Sequence, residues 1–172
     1  HNAFREVDPL SEDNVLIFTT SPTTGTKMPT SGRFHVNFKS PMTEGIGSAN
    51  SGGKWAVAFK KTGHDVLMIR GKSIRPVYLN ISSGGVTFAD AESLLELNTE
   101  EITDLLVGQS PKGTKVMAIG QAGRKMVRMA AIINDRGRAL GRGGSGAVLG
   151  SKNLLAILAV PDDKRNIKVA DP

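Results

Sequence analysis

The strongest constraint on the fold is an internal repeat of 91 residues. When the chain is shifted on itself by that distance without a gap, nine positions between 32 and 72 meet an identical residue. They are Gly32, Arg33, Val36, Gly52, Gly53, Ala56, Val57, Lys61 and Leu67. The repeated spacing predicts two related halves within one domain of residues 1–172, at about 14–81 and 114–168, facing each other around a pseudo-twofold axis.

Hydrophobic patterning fills in the elements of the two halves. Apolar or alternating runs predict strands, and Asn98 followed by Glu101 predicts a capped helix. The predicted strands are 14–20, 33–39, 65–70, 76–82, 85–90, 115–120 and 154–160, with a hairpin turn from Ser82 to Gly85. The predicted helices are 54–63, closed by a glycine, 90–97 and 98–108. Residues 21–32 and 40–53 are predicted loops, and 123–133 is predicted to be extended.

A Gly-Gly pair precedes a predicted short helix in each half, at Gly52-Gly53 and at Gly143-Gly144. A helix start offers unpaired N–H groups and the positive end of the helix dipole, and glycine lets an anion approach closely. Arginine adds a planar fork of donors that suits phosphate. The polar residues near the two pairs are Arg33 and Asn50 in the first half, and Arg136, Arg138 and Arg142 in the second. The repeat therefore favours a bilobal ligand with two phosphates, although plain turns and solvated arginines would give the same pattern.

The basic charge of the chain is concentrated in its second half. Residues 112–152 contain nine Lys or Arg and one Asp, whereas the rest contains thirteen Lys or Arg and fifteen Asp or Glu. This local excess of positive charge favours an anionic ligand for the region. Nucleic acid is disfavoured because 112–152 contains no aromatic residue on which a base could stack.

A nucleotide-binding loop is the second interpretation of the same stretch. Gly141, Gly143 and Gly146 satisfy GxGxxG, but the mostly polar residues 134–140 separate them from the preceding apolar run. A dinucleotide fingerprint should follow a strand directly and open a helix in a parallel sheet. No nucleophile–base arrangement stands out, so no catalytic residue is predicted.

Cysteine is absent, which excludes thiolate metal sites and iron–sulfur ligation by this chain. No apolar run approaches the ~20 residues needed to cross a bilayer. A cytoplasmic protein without a membrane partner is expected, and the first residue, His1, suggests an excised domain.

Four blocks of sequence together resemble one family. They are EVDPLSEDN at 6–14, PTSGRFHV at 29–36, SANSGG at 48–53 and AAIINDRGRALGRGGSGAVLGSKNL at 130–154. In combination they resemble the N-terminal domain of the tungsten-dependent aldehyde:ferredoxin oxidoreductases. The resemblance implies an α+β fold of two pseudo-symmetric repeats, with largely antiparallel β-sheets and short helices. Such a domain forms a base for a bis-pterin cofactor (tungstopterin, or bis-molybdopterin holding tungsten or molybdenum), whose two phosphates are bridged by magnesium.

The resemblance also suggests roles for individual residues. Arg33 matches the arginine that contacts the pterin on the side of the iron–sulfur cluster. Asn50, Ser51 and Gly52 match one phosphate- and magnesium-binding block, whereas Arg138 and Ala139 match the other. Magnesium would be reached by the backbone carbonyls of Asn50 and Ala139. Gly53, Arg142, Gly143 and Gly144 are added as cofactor-binding residues by the helix-start argument.

The resemblance further implies a larger parent enzyme. Family domains start earlier in the sequence, and the [4Fe–4S] cysteines and proton-transfer residues lie in later domains. The parent is expected to oxidise aldehydes to carboxylic acids and to pass electrons through the cluster to ferredoxin. The remaining domains would be partners of this one, which alone is expected to be inactive and possibly isolated without cofactor.

Overall fold

Two β-sheets carry the fold of residues 6–167, which are the residues that the structure, a computed structural model, describes. The first sheet has the order β3-β2-β1-β4 and is antiparallel throughout. Its strands are β1 (Leu16–Thr19), β2 (Phe34–Lys39), β3 (Ile46–Ser51) and β4 (Val66–Ile69). The second sheet has the order β6-β5-β10-β7-β8-β9, and only β5 and β10 pair in parallel. Its strands are β5 (Val77–Ser82), β6 (Gly85–Asp90), β7 (Lys115–Ala118), β8 (Ile132–Asn134), β9 (Arg138–Leu140) and β10 (Leu154–Ala159). The predicted α+β class with largely antiparallel sheets is confirmed.

The two sheets share one topology. The order β9-β8-β7-β10 in the second sheet repeats the order β3-β2-β1-β4 in the first, and these pairings are all antiparallel. In each half, the helix follows the third strand and precedes the fourth. Within residues 6–167, only the second sheet continues, because β5 and β6 extend it beyond β10. This equivalence supports the proposal of two related halves.

Short helices fill the space around the sheets. They are α1 (Trp55–Lys61), α2 (Thr99–Gly108), α3 (Gln121–Arg124) and α4 (Ser145–Ser151), with a 3-10 turn at Glu92–Leu94. Gly63, at φ +98°, ends α1 as predicted. Asn98 and Glu101 form the predicted capping box of α2. Every residue of α4 is buried, which its small side chains allow.

The main core lies around Trp55 of α1. Its ring stacks on Phe59 at 5.0 Å between centroids, and it lies 5.0 Å from the ring of Phe34. The indole N–H donates to Ile157 O at 3.2 Å, so the polar atom of this fully buried side chain is satisfied. A smaller apolar cluster packs α2 against β7 and β10. Burial of aromatic surface on this scale is a dominant stabilising contribution to a domain of this size.

Three sequence-based predictions of local structure were wrong. The predicted loop 40–53 contains β3, whose alternate residues Gly47, Ala49 and Ser51 are buried. Because the buried residues of this strand are small, the sequence does not show the alternation of apolar and polar residues that is typical of a strand. The extended segment 123–133 instead continues α3 into turns, and only β8 is a strand there. The predicted helix 90–97 shortens to the 3-10 turn because Asp90 belongs to β6.

Candidate functional site

The edge strands β3 and β9 meet along a seam that joins the two sheets. Each strand ends its own sheet, and the two contact each other without forming a ladder. Gly52 lies beside Arg138 near one end of this seam, and Gly47 lies beside Gly143 near the other. Asn50 and Ala139, on the two facing strands, are both exposed. The glycine- and arginine-containing segments of the two halves therefore lie next to each other along the seam.

Two arginines from different halves converge on the backbone of Gly52. A Cβ atom at Gly52 would lie 3.5 Å from Arg138 Nη1 and 3.8 Å from Arg33 Nη1. Arg33 also donates a hydrogen bond through Nη2 to Asn50 Oδ1. Within residues 6–167, neither guanidinium forms an ion pair. Two exposed, uncompensated guanidinium groups above a bare backbone are suited to bind an anion.

The turn between β8 and β9 supports the end of the seam at which Gly52 and Arg138 lie. Asn134 is fully buried, and its Nδ2 donates to Ser51 Oγ at 2.8 Å and to Arg138 O at 3.2 Å. Asp135 Oδ2 accepts a hydrogen bond from the backbone N–H of Lys54, the residue that caps α1. The start of α1 is thus capped by a carboxylate from the other half, which is the charge that a helix N-terminus favours.

That cap changes the roles predicted for Ser51 and Gly53. The hydroxyl of Ser51 is buried against Asn134. The bare face of Gly53, at φ +109°, is covered by Asp135 and by Cδ of Arg138. These two residues support the seam, and their side-chain faces are not open to a ligand.

Gly143 and Gly144 occupy the equivalent position in the second half. Gly143 lies against the ring of Phe38, and Ser40 Oγ donates to Gly143 O at 2.8 Å. Gly144, at φ +83°, lies too close to the carbonyl of Arg128 for any side chain. In both halves, therefore, a hairpin turn of one sheet packs on the Gly-Gly pair of the other.

The prediction that α4 offers an open helix start was wrong. The N–H of Gly146 in its first turn already donates to Ala130 O at 2.9 Å. Ser145 Oγ donates to Leu140 O at 2.9 Å, and the residue is buried. The close approach that glycine permits here is to the protein's own carbonyls, which explains the glycines without a ligand.

The remaining arginines divide into two groups. Arg142 is exposed beside Gly143 and forms no ion pair in the described part of the chain. Arg136 instead pairs with Asp104 and, at 3.5 Å, with Glu100 on α2. Arg136 therefore differs from the two arginines with which the sequence grouped it, because its guanidinium already pairs with two carboxylates of α2.

The GxGxxG stretch also lacks the surroundings of a dinucleotide site. β9 does end directly before Gly141, but it pairs antiparallel with β8, and β8 pairs antiparallel with β7. The parallel β-α-β unit that the fingerprint requires does not form here. Elsewhere among the described residues, no group of three His, Cys, Asp or Glu side chains is placed to hold a metal ion. No helix within 6–167 is long and apolar enough to span a membrane.

Sequence reasoning missed Asn134 and Asp135, the two residues that brace the seam. Asn134 reaches Ser51 across 83 residues of sequence, and Asp135 reaches Lys54 across 81. A helix cap is recognisable in sequence only when it is local. The 91-residue repeat was the only available signal, since it places the turn of one half opposite the Gly-Gly pair of the other.

Comparison with known proteins agrees with this architecture. The sequence model of the aldehyde ferredoxin oxidoreductase N-terminal domain matches residues 1–160. A benzoyl coenzyme A reductase chain from the active-site complex BamBC superposes with a TM-score of 0.87 at 35% identity, covering 91% of this chain and 24% of that one. Fold and sequence together define an oxidoreductase domain. The chain belongs to the aldehyde ferredoxin oxidoreductase family, in which it corresponds to the N-terminal domain.

Several relatives that match nearly the whole chain are named as tungsten-containing enzymes. The tungsten-containing aldehyde ferredoxin oxidoreductase of Pyrococcus abyssi is 47% identical over 169 residues, which are 96% of this chain and 27% of the relative. That of Thermococcus kodakarensis is 43% identical over 168 residues, with the same coverage. The WOR-like subunit of an aliphatic sulfonate oxidoreductase from Pyrococcus furiosus is 36% identical, over 96% of this chain and 30% of its own. The chain thus spans about a quarter of the length of the relatives it matches.

Proposed function

We propose that this chain is the base on which a tungstopterin cofactor lies in a larger oxidoreductase. The observation that carries the proposal is the convergence of Arg33 and Arg138 on Gly52, one arginine from each half. The names of two relatives that match 96% of the chain support tungsten as the metal, since both are described as tungsten-containing. The bis-pterin form of the cofactor, with its bridging magnesium, belongs to the proposal.

The residues present fit such a group. Arg33 and Arg138 would bind anionic phosphate oxygens with their free donors, while Gly52 lets the ligand approach the backbone between them. Arg142, near the other end of the seam, would contribute a third donor fork. Gly53, Gly143 and Gly144 would act indirectly, by letting the hairpin turns pack closely enough to fix the seam.

The free edges of β3 and β9 would hold the magnesium ion. Among the described residues, neither edge is paired in a sheet ladder, so backbone carbonyls that face it are available as ligands. Asn50 and Ala139 would each contribute a backbone carbonyl oxygen, which suits a cation that prefers oxygen ligands. The side-chain oxygen of Asn50 already accepts from Arg33 and so holds that guanidinium in place.

In the parent enzyme, a cofactor held by Arg33, Arg138 and Arg142 would supply the chemistry for oxidising an aldehyde to a carboxylic acid, and the electrons would pass through a [4Fe–4S] cluster to ferredoxin. The residues of this chain would bind and orient the cofactor; no residue of the seam is assigned a proton-transfer or nucleophilic role. The cluster and ferredoxin would be held by the other domains. A cytoplasmic location follows from this proposed partnership with ferredoxin.

The activity of the full-length enzyme tests this proposal. The enzyme, produced with tungstate in the medium, is expected to reduce ferredoxin when supplied with short aliphatic or aromatic aldehydes. If the tungsten-loaded enzyme oxidises none of these aldehydes, the proposed substrate class is wrong. The proposed cofactor site is tested separately, by the metal content of the enzyme. An aliphatic sulfonate serves as the comparison substrate, because one relative is named for it.

A further inference from the structure

A cavity lies beside the seam, between the start of α1, the helix α2 and the turn that joins β8 to β9. It has a volume of about 390 Å³. α2 contributes Thr103, Asp104 and Val107 to its wall, and β7 contributes Lys115 and Val116. Cavities of this size commonly hold small molecules, and the cofactor proposal assigns no role to this one.

Arg138 separates the cavity from the seam. Its Cδ atom would lie 2.9 Å from a Cβ atom on Gly53, which lines the cavity, whereas its Nη1 atom would lie 3.5 Å from a Cβ atom on Gly52. The guanidinium of Arg138 is therefore at the seam, and its aliphatic stem forms part of the cavity wall. Lys54 and Lys115 line the cavity alone, because neither belongs to β3 or β9.

Positive charge predominates in the lining of the cavity. Four Lys or Arg residues and two Asp residues line it, which gives a formal net charge of +2. Both carboxylates already have partners: Asp104 pairs with Arg136, and Asp135 accepts a hydrogen bond from the backbone N–H of Lys54. Glu100, outside the lining, also pairs with Arg136 at 3.5 Å. The acidic groups therefore leave the ammonium groups of the two lysines unmatched.

The two lysines come from different halves of the chain. Within residues 6–167, neither Lys54 nor Lys115 forms an ion pair or a side-chain hydrogen bond. Lys54 is exposed at the start of α1, and Lys115 is half-buried at the start of β7. An ammonium group offers three hydrogen-bond donors, and charge-assisted donors are those that bind phosphate oxygens most strongly.

We propose that this cavity binds the phosphate group of a small phosphorylated molecule. The phosphate would lie between the ammonium groups of Lys54 and Lys115, and the organic part would cover Val107, which is 41% exposed. Thr103 Oγ1 already donates to Thr99 O at 2.7 Å, so it remains an acceptor for a hydroxyl group of the ligand. The volume exceeds the need of a lone phosphate ion, since a water molecule takes up about 30 Å³.

The amide chemical shifts of the isotope-labelled 172-residue chain test the proposal. Glycerol 3-phosphate is the probe, and inorganic phosphate and sodium chloride at equal ionic strength are the comparisons. Glycerol 3-phosphate should give saturable shifts at Asp104 and Val116, with an affinity at least about threefold above that of inorganic phosphate. Chloride should give no saturable shift, because it acts only by screening. Equal affinity for inorganic phosphate, or no saturable shift at these two amides, would overturn the proposal.

Substitution of the lysines tests whether the site is specific. Lys115→Met keeps the apolar stem and should weaken the binding of glycerol 3-phosphate about five- to tenfold. Lys54→Met, at an exposed position, should give a similar loss. Lys112→Met is the matched control, because it removes the same charge from an exposed residue outside the lining. Unchanged affinity in both cavity variants, or an equal loss in Lys112→Met, would contradict the site.

The cavity and the cofactor site can be tested independently. Arg33→Ala removes a guanidinium from the seam and should leave the shifts at Val116 intact. In the full-length enzyme, Lys115→Met should retain bound tungsten while its binding of glycerol 3-phosphate is weakened. If Arg33→Ala abolishes the shifts at Val116, the phosphate binds at the seam and the separate site is wrong.

Discussion

Asn134 donates a hydrogen bond of 2.8 Å to Ser51 Oγ and thereby joins the second half of the chain to the first. The same amide nitrogen donates to Arg138 O at 3.2 Å. Because a carbonyl can only accept, this contact also fixes the orientation of the side-chain amide. One buried side chain thus connects the Gly-Gly block of one half to the arginine that we assign to the cofactor.

Loss of this brace should be measurable as loss of stability. Asn134→Ala is expected to lower the free energy of unfolding by about 1–3 kcal/mol, because it leaves Ser51 Oγ and Arg138 O without their donor. Urea unfolding of the 172-residue chain measures the change. Asn37→Ala, at a half-buried position in β2, is the control and should cost less than about 1 kcal/mol. Equal stability of the two variants would show that Asn134 does not brace the seam.

Substitution of Gly144 distinguishes a structural role of the Gly-Gly pair from a role in contacting a ligand. Gly144→Ala should destabilise the chain by about 1–3 kcal/mol even without cofactor, because its φ is +83° and a Cβ would collide with the carbonyl of Arg128. Gly137→Ala, where a Cβ meets nothing within 4 Å, should change stability by less than about 1 kcal/mol. Thermal unfolding compares the two, and a harmless Gly144→Ala would refute the structural role.

Lys152 is expected to make stability depend on pH in the alkaline range. The residue is 2% exposed, and its Nζ donates to Glu12 O at 3.1 Å and to Gly71 O at 3.2 Å. Burial lowers the pKa of Lys152 from 10.5 to about 8, although the carboxylates of Asp13 and Glu12 oppose the shift. Between these two pH values the unfolded chain binds a proton that the folded chain has released. The contribution of Lys152 to the free energy of unfolding therefore increases as the pH rises from about 8 to 10.5.

The variant Lys152→Met measures that contribution. The difference in unfolding free energy between wild type and variant should grow in favour of the wild type by up to roughly 3 kcal/mol across this pH range, since one pKa unit corresponds to about 1.4 kcal/mol. Lys61→Met is the control, because Lys61 is the equivalent residue of the first half and its side chain is 33% exposed. A difference that stays constant with pH would contradict the lowered pKa of Lys152.

The sequence was most informative where its patterns are local or repeated. The capping box of Asn98, the hairpin from Ser82 to Gly85 and the buried strand β10 were all predictable, because each depends on neighbours within a few residues. The repeat also predicted that both Gly-Gly pairs would occupy equivalent positions. β3 was missed because glycine and serine at Gly47 and Ser48 suggest a loop, and only its pairing with β2 makes it a strand.

The candidate site was less predictable than the fold. Convergence of Arg33 and Arg138 depends on the packing of β3 against β9, which no local pattern encodes. The separation of Arg136 from Arg138 depends on α2, whose acidic residues Glu100 and Asp104 neutralise only the former. Two arginines two positions apart in the sequence therefore differ in their ion pairs, although their nearness in the sequence grouped them together.

The metal content of the full-length enzyme tests the central claim most directly. The enzyme would be produced with tungstate and molybdate, and both metals would be measured per polypeptide by mass spectrometry. Arg138→Ala should lower the bound metal at least about tenfold with the fold intact, because a charge-assisted contact to phosphate contributes about 1.5–3 kcal/mol. Arg136→Ala, whose guanidinium pairs with Asp104 and Glu100 instead, should retain the metal. A full complement of tungsten or molybdenum in folded Arg138→Ala would contradict the assignment of the seam as the cofactor site.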